Sequence, residues 1–238
     1  MSRGLSEWAL SFVDACPKVS LGGSFRRESV ALNDSLIGAE GDLERMLSKM
    51  ARFEERYGGL VVPVRGGVLA GSLTLGFGAT PAVRRSDDGE PIIRMASHDS
   101  AQCAIVMSAD GRVGCSWSGE FHHLFDSVEH LIEDCAAWHR IRGWWYAAVS
   151  DFDQDLVMSA AGGGALDDSV SGEKAQWRRA DGIAVVSHPY LNPGRGASVQ
   201  VAVLAADALK REWLKRKLES HGFGGQGETA ASLLGRVG

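Results

Sequence analysis

The densest run of residues able to hold a metal ion or move a proton is His122-His123, Asp126, His130 and Glu133-Asp134. Imidazole nitrogens and carboxylate oxygens are the ligands of zinc and its neighbours, and the same groups act as general acids and bases. His130 and Asp134 stand at i, i+4, on one face of a helix. His122 and His123 point to opposite sides of an extended chain, so the two do not easily serve one site. The metal set suggested by this spacing is His122, Asp126, His130 and Asp134. The acid–base set is His122, His123, Asp126 and His130. The plainer reading is a polar helix face following a loop, with no cofactor and no catalytic residue.

Other chemical signals weaken on inspection. Gly114-Cys115-Ser116-Trp117-Ser118 lacks the last glycine of a nucleophile elbow and sits in a hairpin pattern rather than a strand–turn–helix unit, so Ser116 reads as a strand serine. Asp151, Asp153 and Asp155 spell D-x-D-x-D, but Leu156 and Gly162 stand where a calcium loop needs glycine and glutamate. Gly222-Phe223-Gly224-Gly225-Gln226-Gly227 follows a basic helix, leaving no room for a βαβ unit and therefore for a dinucleotide. Lys210, Arg211, Lys215, Arg216 and Lys217 read as a solvated helix face. Cys16, Cys103, Cys115 and Cys135 are scattered among apolar neighbours with no CxxC pair, which fits buried free thiols and not a zinc ribbon.

The elements that must position these residues follow from periodicity. From Glu40 to Tyr57, Leu43, Met46, Leu47, Met50, Phe53 and Tyr57 recur at three and four, forming one apolar stripe of a helix. This helix runs into Gly58-Gly59 and then the apolar run from Leu60 to Val64; Gly58 is the expected left-handed cap. Trp8, Leu10, Phe12 and Val13 suggest a short amphipathic helix before Pro17. Ser86-Asp87-Asp88-Gly89 separates two strand patterns, and Asp110-Gly111 turns a hairpin between Cys103–Met107 and Arg112–Trp117. Ser127 caps a helix carrying Val128, Leu131, Ile132, Cys135 and Trp138. Ser150 to Gln176 reads as a linker, followed by strands at Ile183–Ser187 and Ser198–Leu204 and a helix at Asp207–Ser220.

Bulk properties narrow the function. With 238 residues, 45% of them hydrophobic, the chain can bury roughly 70% of its unfolded surface and build its own core. A formal net charge of −5 disfavours general nucleic-acid binding, which needs positive charge against phosphate. Met1 to Asp14 has one arginine and no long apolar core, and no run reaches membrane-spanning length, so a cytoplasmic location is expected and no membrane partner.

Two stretches carry a resemblance: Asp42 to Val62, a helix ending in an aromatic-Gly-Gly turn that feeds a strand, and Ala101 to Trp138, an Asp-Gly hairpin followed by Leu124-Phe125-Asp126-Ser127-Val128-Glu129-His130-Leu131-Ile132. Over roughly residues 40–146 the chain resembles the SUKH superfamily, many of whose bacterial members look like immunity proteins of toxin systems. The resemblance implies an α+β fold, with a mostly antiparallel curved sheet and helices packed against it, across residues 1–146. Residues 147–238 are then a C-terminal αβ extension of linker, two strands and a helix. It further implies binding rather than catalysis: occlusion of a protein partner such as a basic nuclease toxin. The acidic surface of the N-terminal part is the side expected to meet a basic partner, with Asp87, Asp88 and Glu90 as candidate contacts. A hydrolase or tailoring enzyme using His122, His123, Asp126 and His130, metal-dependent or not, is the alternative. A third is an assembly protein with Trp144, Trp145 and Trp213 in an interface, and a homo-oligomer stays open.

Overall fold

A computed structural model describes residues 4–21, 30–32, 40–64, 71–77, 81–98, 104–117, 119–149, 159, 164–192, 196–221 and 235–236. The chain divides into two compact units, Met1–Ala136 and Ala137–Gly238, with the division inside a helix. The fold is α+β: a strongly curled sheet with helices in the first unit, and a smaller sheet with a helix in the second.

In the first unit the order is α1 (Glu7–Ala15), β1 (Ala31–Leu32), α2 (Glu40–Tyr57), β2 (Val61–Val64), β3 (Gly71–Leu75), β4 (Ala82–Arg85), β5 (Pro91–His98), β6 (Ala104–Ser108), β7 (Val113–Trp117), β8 (Glu120–Phe125) and α3 (Val128–Arg140). The sheet runs β1-β4-β5-β6-β7-β8, with β3 also paired to β5 and β2 to β3. Among the described pairings only β1 with β4 is parallel. Register shifts at Arg94/Ala96 and at Val113/Gly114 are bulges, which increase local twist and let the sheet curl. The curl brings β4 to the far strands: Arg84 Nη2 donates to Ser116 Oγ at 2.9 Å, and Asp87 N–H to Gly119 O at 3.1 Å. Ser116 is a buried strand residue held by that bond, as its hairpin context predicts.

Helix α2 buries the stripe Met46, Leu47, Met50, Phe53 and Tyr57. Phe53 meets Phe77 edge to face, with ring centroids 5.0 Å apart. Each such side chain contributes roughly 1.5–3 kcal/mol by leaving water. The helix ends at Tyr57, as its stripe predicts, but Gly59, not Gly58, takes the left-handed conformation, at φ 77°. The chain there is pinned on two sides. Gly59 N–H donates to Leu75 O and Val19 N–H to Gly59 O, both at 2.8 Å.

Helix α1 buries Ala9 and Phe12, while Trp8 and Leu10 face outward, so its inner face is narrower than its composition implies. Its N-terminus meets α3. Ser6 Oγ accepts from Ala9 N–H at 3.2 Å and donates to Glu133 Oε2 at 2.8 Å, while Ser6 N–H donates to Glu133 Oε1. A buried carboxylate is tolerable here because both oxygens are bonded and the positive end of α1 faces it. Cys115 and Cys135 are buried free thiols and Cys16 is half-buried; burial pushes the Cys16 and Cys135 thiols up, away from the reactive thiolate. Cys103 lies outside the described residues.

The second unit holds β9 (Trp145–Val149), β10 (Ala165–Leu166), β11 (Gln176–Ala180), β12 (Ile183–Asn192), β13 (Gly196–Ala205), α4 (Ala208–Ser220) and β14 (Gly235–Arg236). The strands pair antiparallel in the order β10-β11-β12-β13-β9-β14. The runs Ile183-Ala184-Val185-Val186 and Val201-Ala202-Val203-Leu204-Ala205 are apolar throughout because both sheet faces are covered. Ile183, Val185, Val201, Val203 and Ala205 pack on Leu214 and Leu218 of α4, with Trp145 and Trp213 at the margin. Ala184, Val186, Ala202 and Leu204 pack with Trp177, Ala137, Trp138 and Ile141, with Trp144 beside them. The three tryptophans considered for an interface thus stand partly buried against the unit's own cores. Asp207 caps α4, accepting from Lys210 N–H at 2.8 Å. The aspartate triplet at 151–155 and the glycine motif at 222–227 lie outside the described residues.

Candidate functional site

Two places in the first unit gather the residues singled out by chemistry. One is a pair of hairpin turns, the other the junction of β8 and α3.

The turns repeat one device. Ser86-Asp87-Asp88-Gly89-Glu90 joins β4 to β5, and Ser108-Ala109-Asp110-Gly111-Arg112 joins β6 to β7. In each, the serine Oγ donates to the aspartate two residues on and bonds the carbonyl oxygen four residues on. In each, the serine N–H also bonds that carbonyl oxygen, and the glycine N–H returns to the serine carbonyl, all at 2.9 Å. Such side chain-to-backbone bonds replace water and fix the turn.

The turns are then tied together. Arg112 places Nη2 at 2.8 Å from Glu90 Oε1 and Nε at 2.6 Å from Asp110 Oδ2. Three hydrogen bonds to Asp110, one from Ser108 and two from Arg112, hold its carboxyl below the usual carboxylate range against the opposing effect of burial. The same carboxylates raise the Arg112 guanidinium against its own desolvation. Lys49 of α2 donates to the Asp110 carbonyl, and its chain packs where a side chain at Gly111 would stand.

This division of labour separates the three predicted contact residues. Glu90 is spent on Arg112 inside the molecule. Asp87 and Asp88 are exposed, and among the described residues no cation pairs with either. The Asp87 carboxylate lies over Gly119, where any Cβ would collide with it. Arginine 112 was not singled out by sequence reasoning; the recurrence of Ser-x-Asp-Gly at 86 and 108 is the signal that points to it.

At the second place, His122 and His123 stand on strand β8, where a loop is expected before the helix, and His130 and Asp134 stand on α3. His122 and His123 face opposite sides, as an extended chain requires. His122 Nε2 lies 3.6 Å from Glu120 Oε2, away from the other candidates. His123 Nε2 lies 3.2 Å from Asp126 Oδ1. His130 Nδ1 lies 3.8 Å from Asp126 Oδ2 and accepts from Asp126 N–H at 3.4 Å. Ser127 caps α3, its Oγ accepting from His130 N–H at 3.1 Å, and the Phe125 ring stands edge-on to the His130 ring at 5.6 Å. Asp134 is buried one turn further along α3. Among the described residues, none of His122, His130 and Asp134 belongs to a group of ligating atoms close enough to share an ion. Asp126 instead meets His123 and His130 as two separate pairs, through different carboxylate oxygens.

Next to this junction, Glu129 takes the Tyr57 hydroxyl at 3.5 Å and Arg56 at 3.4 Å. Burial, then the Glu129 charge, pushes the Tyr57 phenol up to about 12. Among the described residues no helix is long and apolar enough to cross a membrane. No family model matches the chain, and no match to it is found among the curated proteins or the solved structures.

Proposed function

We propose that this chain is a binding protein of the SUKH immunity type, which covers a basic protein partner such as a nuclease toxin and blocks access to the partner's working surface. One observation carries the reading. Asp87 and Asp88 stand exposed on a turn whose backbone is fixed by its own serine and glycine and braced to the next hairpin by Glu90 and Arg112. A rigid, unneutralised carboxylate pair loses little freedom on binding and attracts a cationic patch from a distance. Ser116 is engaged by Arg84, which argues against a serine nucleophile on β7.

The test is co-expression with a toxin gene encoded beside this one, followed by titration of the purified pair. Asp87→Asn with Asp88→Asn removes the charge while keeping a carbonyl oxygen for Ser86. We expect association to slow at least about tenfold at low salt, and its salt dependence to flatten. Unchanged association at low salt would refute the assignment of these residues. Failure of the wild-type chain to bind or neutralise any such toxin would refute the function.

A further inference from the structure

The second unit holds a cation that its own residues leave unanswered. Arg178 stands on β11 with its Nε buried and without a hydrogen-bond partner. Among the described residues, no acceptor and no carboxylate meets the rest of its guanidinium either. Its neighbour Arg179 is placed differently: its Nε stands 3.2 Å from Asp167 Oδ2, and its guanidinium lies 5.0 Å from the centre of the Trp177 ring. A buried N–H without an acceptor costs free energy, and a charge partly withdrawn from water adds to it. Such a group calls for an acceptor from outside the chain.

Register places Arg178 on the face covered by α4. It stands opposite Val185 of β12, which stands opposite Val203 of β13. Residues paired in this way project to one face, and Val185 and Val203 are among those that pack on Leu214 and Leu218 of α4. Arg178 therefore flanks the helix, with the exposed Leu166 of β10 on its outer side.

Contacts fix which flank of α4 looks towards β11. Arg211 stacks on Trp145 of β9, 4.3 Å from the ring centre. Lys210 reaches the other way, its Nζ 3.2 Å from Asp181 at the β11–β12 turn. Lys217 lies two helical turns beyond Lys210 and so on the same flank. Its ammonium is held over the Trp213 ring, 5.8 Å from the centre, and among the described residues it pairs with no carboxylate.

We propose that Arg178 of β11 and Lys217 of α4 form a binding site for a phosphate dianion. A guanidinium presents paired N–H donors that match two phosphate oxygens, and the lysine adds a point charge. Two cations without counter-charges balance the dianion. The tip of Arg178 is partly open to solvent, so the anion meets the Nη groups first, and a turn of the side chain gives Nε–H the acceptor it lacks. Asp181 opposes the site from the end of β11. Its carboxylate is already answered by Lys210 and is 99% exposed, where water screens it.

The experiment uses the full chain, titrated with inorganic phosphate and separately with acetate, and follows the arginine Nε–H signals by NMR. Phosphate is expected to saturate one site with about millimolar or tighter affinity, to shift the Arg178 signal, and to bind at least about tenfold more tightly than acetate. Arg178→Met weakens phosphate binding at least about tenfold and Lys217→Gln at least about threefold. Lys215→Gln, the same change of charge on the Arg211 flank, stays within about twofold of wild type. Arg178→Met keeps the packed stem and removes the unanswered charge, so its urea midpoint is no lower than that of wild type. A structural arginine would lower it. The proposal is overturned by any of four results: no saturation with phosphate, equal affinity for acetate, as large a loss in Lys215→Gln as in Lys217→Gln, or a lowered midpoint in Arg178→Met. Because the readout is phosphate alone, its failure leaves the toxin-binding test untouched.

Discussion

Gly59→Ala is the sharpest test of how the first unit is held together. Two separate costs are expected. The left-handed conformation at φ 77° costs a residue with a Cβ about 1–2 kcal/mol. The new Cβ also falls far inside contact distance of the Val19 carbonyl oxygen, a backbone atom that cannot rotate away. Relieving that overlap pushes residues 17–19 off the start of β2. The bonds at risk are Val19 N–H to Gly59 O at 2.8 Å and Val61 N–H to Pro17 O at 2.9 Å, each contributing about 1 kcal/mol. The expected total is about 3–4 kcal/mol, a large share of an ordinary domain's stability. Gly89→Ala separates the two costs. Gly89 has φ 87° but open space around its Cβ position, so only the conformational cost of about 1–2 kcal/mol applies. Urea denaturation of both variants, followed by circular dichroism, gives the difference directly. The reasoning fails if Gly59→Ala is no more destabilising than Gly89→Ala.

Other outcomes follow from the side chains. The Tyr57 phenol has a folded value of about 12 against an unfolded value near 10, so its contribution is full below pH 10 and is lost as pH rises towards 12. The loss amounts to about 2–3 kcal/mol, and Tyr57→Phe should remove that alkaline slope in denaturation curves recorded across the same range. A slope unchanged by Tyr57→Phe would place its origin elsewhere. Trp138 and Trp177 meet edge to face at 5.2 Å in the second unit. A double-mutant cycle with leucine at each position should show a coupling of about 1 kcal/mol beyond the separate losses, and strict additivity would contradict it.

Much of the scaffold was legible because its patterns are strong. The stripe of α2, the Asp-Gly hairpin between β6 and β7, and the Ser127 cap of α3 all stand where spacing and turn chemistry place them. Strand β8 was not, because Phe121-His122-His123-Leu124 offers no clean alternation; histidine suits either face. Which of the two histidines meets Asp126 depends on register, and the bulge at Val113/Gly114 shifts that register by one residue. No local signal announces such a bulge. The cap at Gly59 rather than Gly58 is a similar one-step matter, settled by the pull of Val19 and Leu75 on the turn. The brace between the two serine turns was written in the text at 86 and 108, but its meaning needs the hairpins side by side. Only then does Arg112 reach both Glu90 and Asp110.

The second unit's sheet has long apolar strands in the middle and two-residue strands, β10 and β14, at its rims. Rims this short offer almost no template on which a foreign strand can grow. The pairing of Gly235 with Tyr146 and of Arg236 with Trp145 covers part of β9. Without Gly235 and Arg236 the backbone edge of Trp145 and Tyr146 would stand unpaired, so this two-residue strand closes part of an edge otherwise open to strand addition.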